Sequence, residues 1–588
     1  MAFLDHDPET FAAAATAGFV AAHGDLVRQV PGGVVRTTRS EADEVALVIG
    51  GGSGHFPAFG GLVGPGLAHG AVLGNIFASP SAHQVADVAR IAEQGRGVLL
   101  SYGNYAGDVL QFNAAADRLR QSGIPVRSVA VTDDIYSAPA EEAHKRRGIA
   151  GDLVVFKVAG AAAAAGDDLD AVARVAEAAN AATRSLGVAF SGCTLPGADQ
   201  PLFRVPQGRM AVGLGIHGEP GIDEVDVPTA RGLAELLVDR LLGEVPGGGD
   251  PRGRRVVVIL NGLGSFKYEE MYVVHDEVRR VLAARGIEIA DAKVGEFCTS
   301  FEMSGMSLTL FWPDEELESL WRAPARSAAY VQDGTPVAQH AVDLSEQRLA
   351  ALDEHVSLPV AAEESRAYVP LVQSALAELS RTVDSHVDEL GRIDAIAGDG
   401  DHGLGMQRGA HAALAAARSA DGNAAGAGTV LRLAADAWAD EAGGTSGALW
   451  GLILRSLADA VGDASAPSAE AVRRGVRDAC DQVMTQGGAR EGDKTMVDAL
   501  APFANALEGA AALPLAEAWR EAADAARASA EATAAMLPRL GRARTHGAKS
   551  LGTPDPGAVS FALIVNALAD LFAASLPVPA VSDAIVTA

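Results

Sequence analysis

His217 stands in "GLGIHGEPG", among glycines and just past the apolar run Met210-Ala211-Val212. A neutral imidazole is a competent nucleophile, and glycines on either side leave room for a ligand fastened directly to the ring. Taken alone, the stretch reads more readily as a histidine satisfied within a turn. A second chemistry-bearing stretch, "DAIAGDGDHGLGMQRG", sets Asp394, Asp399 and Asp401 in one glycine-rich loop. Carboxylates at that density repel one another and are best tolerated when cations neutralise them. Oxygen donors without cysteine suit Mg2+ or Ca2+, and the absence of the terminal glutamate of an EF-hand favours Mg2+ with phosphate. A solvated turn with a helix cap is the alternative. In "EAGGTSGALWG", Gly443 and Gly444 let the backbone approach a ligand, and Thr445 and Ser446 open a helix whose N-terminal amides attract anions. No lysine follows, so this is not a Walker loop, and an ordinary capped helix accounts for it equally well.

These residues need elements to position them. From residue 44 to about 335, β-rich runs end in glycine or polar residues: "EVALVIGGGSGH", "GRGVLLSYGN", "VRSVAVTDD", "GVAFSGC" and "RRVVVILNGLGS". Such junctions are where α/β folds collect ligands. The alanine-rich stretch from Leu153 to Gly187 has the length of one long or two stacked helices. After about residue 340 strand signals vanish. Helical segments are expected at 369–389, 404–419, 428–441, 468–485 and 514–536, with "GDKTMVDAL" and "DPGAVSFAL" opening two more. The expected architecture is an α/β region followed by an all-α domain, in keeping with a chain of 588 residues, too long for one core.

Composition narrows the partners. A net charge of −28, from 47 basic and 75 acidic side chains, would repel nucleic-acid backbones and anionic lipid, so neither nucleic acid nor membrane is expected as a partner. "FAAAATAGFVAAHG" follows Asp5, Asp7 and Glu9 where an export signal would carry Lys or Arg, and is read as an amphipathic first helix. No later stretch is expected to span a membrane. Cys193, Cys298 and Cys480 fit no metal or redox spacing, and a reducing cytoplasm is the expected compartment.

Taken together, these strings resemble the dihydroxyacetone kinase family along nearly the whole chain. "GGGSGHFPAFGGLVG", "GNIFASPS", "GNYAGDVLQF", "GLGIHGEPG" and "NGLG" occur in the first half, and "GDGDHGLGM", "GGTSGALWG", "GDKTMVDAL", "GRA" and "DPGAVS" in the second. The resemblance implies a ketose-binding domain at 1–340, with two α/β subdomains at about 1–188 and 189–340. A linker at 341–366 and an antiparallel helical barrel for the nucleotide at 367–588 would follow. It implies that His217 holds a short ketose as a covalent hemiaminal, that His55 is a proton acceptor or hydrogen-bond partner, and that Asp108 takes or orients the proton of the attacking hydroxyl. Gly52, Ser53, Gly54 and Gly103 would line the ketose. His402, Gly403, Leu404, Gly405, Thr445, Ser446, Gly487, Met496, Arg542, Asp555, Pro556 and Gly557 would surround ATP, and Asp394, Asp399 and Asp401 would hold two Mg2+ ions. A homodimer, with the helical domain of one chain over the ketose site of its neighbour, is implied in the same way.

Two departures bear on the substrate. Many relatives read G-H-E-P-A-H where this chain has Gly54-His55-Phe56-Pro57-Ala58-Phe59, and Lys-Asn-Tyr where it has Gly103-Asn104-Tyr105. Losing a lysine removes a polar contact and opens volume, which suits a longer ketose. The variant pattern resembles the erythrulose kinases, so a four-carbon ketose is expected, with dihydroxyacetone or a pentulose as the alternatives. Fusion of both domains favours ATP over a phosphocarrier as donor. The presence of His55, Asp108, His217 and all three loop aspartates argues against a purely regulatory ketose sensor.

Overall fold

A computed structural model describes residues 7–8, 10–40, 42–217, 219, 221–333, 358, 360–396, 398, 400–420, 424–442, 444–540 and 549–575. The chain forms two compact units, Met1–Asp343 and Leu344–Ala588.

In the first unit, β-branched runs feed two six-stranded sheets. The first has the order β1(Val27–Val30), β2(Gly33–Arg36), β4(Gly70–Ile76), β3(Ala46–Ser53), β5(Val98–Gly103), β6(Val126–Val131). Its β4-β3-β5-β6 core is parallel, so the C-terminal ends of β3 and β5 open onto the same edge. The second has the order β11(Glu288–Gly295), β10(Arg255–Gly262), β12(Gly305–Phe311), β7(Thr183–Ala189), β8(Arg209–Val212), β9(Asp223–Asp226), with only β10 and β11 parallel. The expected division at 188/189 falls inside β7. That strand pairs with β12 and β8, so the second sheet begins at Thr183.

The alanine-rich stretch is two helices, α4(Asp152–Ala164) and α5(Leu169–Ala181), separated by the turn at Gly166. Every residue of α4 from Asp152 to Ala163 is buried, the pattern of a helix enclosed on all sides. Its Leu153, Val154, Phe156 and Val158 share a core with Leu47 and Ile49 of the first sheet and Val257 and Ile259 of the second. Burial of each such side chain contributes about 2 kcal/mol. By contrast, none of the side chains of α1(Phe11–Ala22) is fully buried; its half-buried residues Phe11, Ala12, Thr16, Phe19 and Val20 share one face, and Phe19 and Val20 pack against the core.

A buried polar network ties the first sheet together. Glu44 accepts from Arg36 at 3.1 Å and from His69 Nε2 at 2.8 Å, and His69 Nδ1 accepts from the Leu47 amide. Burial pushes the Glu44 carboxyl up, but hydrogen bonds from His69 and Ser40 and the charge of Arg36 outweigh it and hold the group down to about 2. Between the ordinary value of 4.5 and about 2 the unfolded chain binds the extra proton. The stabilisation is therefore complete above pH 4.5 and lost as pH falls through that window. Glu44→Gln is expected to lower stability by about 3 kcal/mol at pH 7, by stranding a buried guanidinium, and to blunt the acid dependence of the melting temperature.

In the second unit, eight long helices follow one another among the described residues: α9(Val369–Asp394), α10(His402–Ser419), α11(Ala427–Ala442), α12(Gly444–Val461), α13(Ala469–Gly487), α14(Val497–Gly509), α15(Leu515–Ala532) and α16(Pro556–Ser575). Each packs on the next and α16 returns to α9, closing an up-and-down barrel. Part of the expected linker is helical, since Glu363–Arg366 forms a short turn of helix. Pro556–Ala574 is long and apolar enough by length and composition to cross a membrane, although Ser560, Asn566 and Asp570 interrupt its apolar run. In the structure it is a stave of the barrel, with Phe561 packed on Phe503 and Trp450. The barrel encloses a cavity of about 810 Å³ lined by Leu371, Leu379, Leu457, Leu515 and Phe572.

Candidate active site

Glycine-rich strand ends build the first site. β3 runs out through Gly50-Gly51-Gly52 into Ser53, whose hydroxyl donates to Gly74 O at 2.6 Å. Gly54 has φ +106°, a conformation side chains rarely adopt, and a methyl there would lie 2.8 Å from Phe77. The chain therefore turns sharply and carries His55 inward, where it is fully buried. Loop 297–301 of the second sheet secures that turn: Thr299 N donates to His55 O, Phe301 N to Gly54 O, and Ala58 N to Phe297 O.

His217 comes from the loop after β8, and its Nε2 lies 3.1 Å from His55 Nε2. His55 Nδ1 lies 2.8 Å from Thr299 O. A carbonyl only accepts, so His55 carries its proton on Nδ1 and offers its Nε2 lone pair to His217, which donates from Nε2. Burial, reinforced by each other's proximity in the case of His55 and by Arg147 in the case of His217, lowers the two imidazoles to about 3 and about 4. Both rings are neutral at physiological pH.

Several further residues surround the pair, of which Phe77 and Arg147 were not singled out from sequence. Phe77 stacks on His55 with centroids 4.9 Å apart, and the Tyr105 ring meets His217 edge-on at 4.2 Å. The Tyr105 hydroxyl donates to Gly148 O at 3.0 Å. Glu219 accepts from the His217 amide at 2.8 Å and lies 3.5 Å from Arg147, which is also paired with Asp134 at 2.9 Å. Arg147 sits in "HKRRG", a charge run of the kind that normally marks a solvated face, and only the fold brings it under the histidine loop. Gly103 ends β5, where an added Cβ would come 3.1 Å from Tyr105. Phe59, expected to bear on ketose size, packs instead as a core residue against Phe156 behind His55.

Asp108 lies in the first turn of α3(Ala106–Gln121), just past the end of β5. Its carboxyl is buried and Oδ1 has no partner. Burial, partly offset by a hydrogen bond from Ser79, pushes it up to about 6.

In the helical unit, the C-terminal ends of α9, α11, α13 and α15 share one end of the up-and-down ring. Asp394 Oδ2 accepts from Gly400 N at 2.9 Å, and Asp401 is exposed at the start of α10. His402 joins three staves: Nε2 lies 3.0 Å from Ser560 Oγ on α16, and Nδ1 3.3 Å from Ser446 Oγ on α12. The helix start carries Gly403 and Gly405, with Leu404 exposed beside them, and Thr445 is exposed in the first turn of α12. Asp555 Oδ2 accepts from Ala558 N, and burial pushes the carboxyl up to about 7. Pro556 and Gly557 start α16, and a methyl on Gly557 would lie 3.4 Å from Met496 Cβ. Gly487 ends α13, within reach of Leu449 on α12. Asp399 and Arg542 lie outside the described residues. Among the described residues no three potential metal-ligating side chains converge. The oxygen-only character of Asp394 and Asp401, in a loop without cysteine, nevertheless fits a hard cation such as Mg2+.

A neutral histidine pair at the mouth of one α/β unit, fused to a helical barrel with carboxylate and glycine loops at one end, defines a two-domain chain of Dak1–Dak2 organisation. The Dak1 domain model matches residues 17–329 and the DAK2 domain model residues 396–570. The chain belongs to the dihydroxyacetone kinase family. It is 56% identical to an L-erythrulose kinase of Pectobacterium atrosepticum, covering 97% of this chain and 96% of that protein. It is 52% identical to a D-erythrulose kinase of Mycolicibacterium smegmatis, covering 97% and 98%. Among solved structures it resembles the dihydroxyacetone kinase of C. freundii in complex with AMP-PNP and Mg2+, with TM-score 0.58, 29% identity, and coverage of 97% of this chain and 99% of that one.

Proposed function

We propose that this chain is an ATP-dependent kinase that phosphorylates a terminal hydroxyl of erythrulose, held as a hemiaminal on His217. The observation that carries the reading is the buried, neutral His55–His217 pair, 3.1 Å apart, with the tautomer of His55 fixed by Thr299 O. As His217 Nε2 adds to the ketone carbon, its proton passes to His55 Nε2 and from there to the carbonyl oxygen, which becomes a hydroxyl. His55, which keeps its Nδ1 proton, is cationic only while it carries the second one, and both rings are neutral again in the hemiaminal. A polyol without a carbonyl cannot be captured, which gives selectivity before any phosphate is transferred. Asp108 then takes the proton of the terminal hydroxyl as that oxygen attacks the γ-phosphorus and ADP leaves.

On the nucleotide side, Asp394 and Asp401, with Asp399, would hold Mg2+ as a pair of ions that neutralise phosphate charge. The helix starts at His402, Thr445 and Pro556 would supply amides to the phosphates, and the family resemblance adds Arg542. A cytoplasmic homodimer completes the proposal. Its compartment is supported by three free, buried cysteines and its assembly by the family resemblance.

ADP release from Mg-ATP, measured in parallel with dihydroxyacetone, D-erythrulose, L-erythrulose and a pentulose, tests the reading. The highest kcat/KM is expected for one erythrulose enantiomer. A clear preference for dihydroxyacetone would overturn the substrate, and no release with any ketose would overturn direct use of ATP.

A further inference from the structure

Glu219 stands between Arg147 and the imidazole of His217. Its Oε1 is 3.5 Å from Arg147 Nη1 and 3.9 Å from His217 Nδ1, while Oε2 accepts from the His217 amide at 2.8 Å. His217 Nδ1 is buried with no hydrogen-bond partner, although a carboxylate lies this near. A carboxylate beside an imidazole favours its protonated form. Here a guanidinium competes for that carboxylate.

Arg147 is itself fixed. Nε and Nη2 both donate to Asp134 Oδ2, at 3.2 and 2.9 Å, and Asp134 is fully buried. Nη2 also reaches Gly213 O at 3.5 Å. A methyl on Gly215 would lie 2.8 Å from Arg147 Nη1, so the guanidinium rests against the backbone of the histidine loop. One side chain thus joins the turn after β6, through Asp134, to both Gly213 and Glu219 on either side of His217.

The proton count makes this separation matter. His55 keeps its proton on Nδ1, so His217 donates from Nε2 and its own Nδ1 carries a lone pair. A bond from His217 Nδ1 to Glu219 would need a second proton on the ring. The imidazolium so formed would be held at both nitrogens, by Glu219 and by His55, with no lone pair left to attack a ketone. We propose that Arg147 is a positioning residue: by engaging Glu219 and the carbonyl of Gly213 it keeps the carboxylate off His217 Nδ1 and leaves the ring the single proton that passes to His55 on capture. This inference deepens the ketose-capture reading and rests on it.

The test follows the erythrulose adduct, a mass increase of one whole ketose, by intact-protein mass spectrometry between about pH 8 and about pH 5. The groups facing His217 are His55, Tyr105, Glu219 and Arg147, with Asp134 behind Arg147. His55 and Tyr105 stay neutral throughout, and wild type is expected to give a flat profile. Asp134→Asn combined with Arg147→Met removes the buried pair together, stranding neither partner, and frees Glu219. Adduct formation is then expected to fall about tenfold per pH unit on the acid side, and adding Glu219→Gln, which keeps an acceptor for the His217 amide, is expected to flatten the profile again. A loss equal at every pH, or an acid limb that survives Glu219→Gln, overturns the proposal and makes Arg147 a structural cation. Glu219→Gln alone leaves the buried pair intact and decides the matter if the double variant does not fold. It is expected to form adduct with a flat profile, and absence of its adduct at every pH makes the carboxylate a participant and overturns the proposal. Absence of the adduct in wild type overturns the underlying capture reading instead.

Discussion

His217→Ala is expected to lose at least about 10³-fold in kcat/KM for its ketose. The alanine removes the nucleophile and half of the His55–His217 contact, while the loop itself stays held from outside by Arg147, Asp134 and Glu219. Intact-protein mass spectrometry separates this chemistry from its nearest rival. An imidazole nitrogen that has added to a ketone has no second hydrogen to lose, so the adduct retains the oxygen and the mass rises by one whole ketose. A lysine imine would form with loss of water. Wild type should show the whole-ketose increment and His217→Ala none. Wild-type affinity for ketose in His217→Ala, or an increment short by one water, would refute covalent capture by this histidine.

Sequence made the strand ends of β3, β5, β6, β7 and β10 legible because each is a short β-branched run stopped by glycine or polar residues. β9 was not legible: "DEVD" is acidic and largely exposed, and it becomes a strand only through its pairing with β8. β11 hides for a related reason, since "EIADAKVG" alternates charge with apolar residues at a half-covered sheet edge. The nature of α4 was half legible. Its length and alanine content read as helix, but burial on every side erases the periodicity that would locate it, and the sandwich between sheets is a tertiary fact. In the second unit, barrel closure by contact of α16 with α9 joins segments far apart in the chain, and no local pattern reports it.

The site divides in the same way. His217, His55 and Asp108 stand in glycine-rich strings whose combination carries a family resemblance. Arg147, Glu219, Tyr105 and Thr299 act by position alone: one looks like surface charge, one contributes a backbone carbonyl, and Tyr105 matters for the face that it turns to His217.

Asp108→Asn is expected to keep the ketose and lose the transfer: the whole-ketose mass adduct should still form, while kcat falls by about 10²- to 10⁴-fold, the range for loss of a general base. The pH dependence sharpens the assignment. Burial disfavours the carboxylate of Asp108 and raises it from 3.8 to about 6. A base acts only when deprotonated, so wild-type kcat should be flat above that value and fall tenfold per pH unit below it, whereas the neutral imidazoles at about 3 and about 4 impose no limb in that range. Asp134 is also lifted to about 6, by burial against the pull of Arg147, and it sits under the histidine loop. The residual activity of Asp108→Asn decides between them. Loss of the limb near pH 6 assigns it to Asp108 as the base that faces the attacking oxygen. A limb that persists in the variant assigns it to Asp134 acting through Arg147 on the histidine loop, and removes Asp108 from the proton transfer.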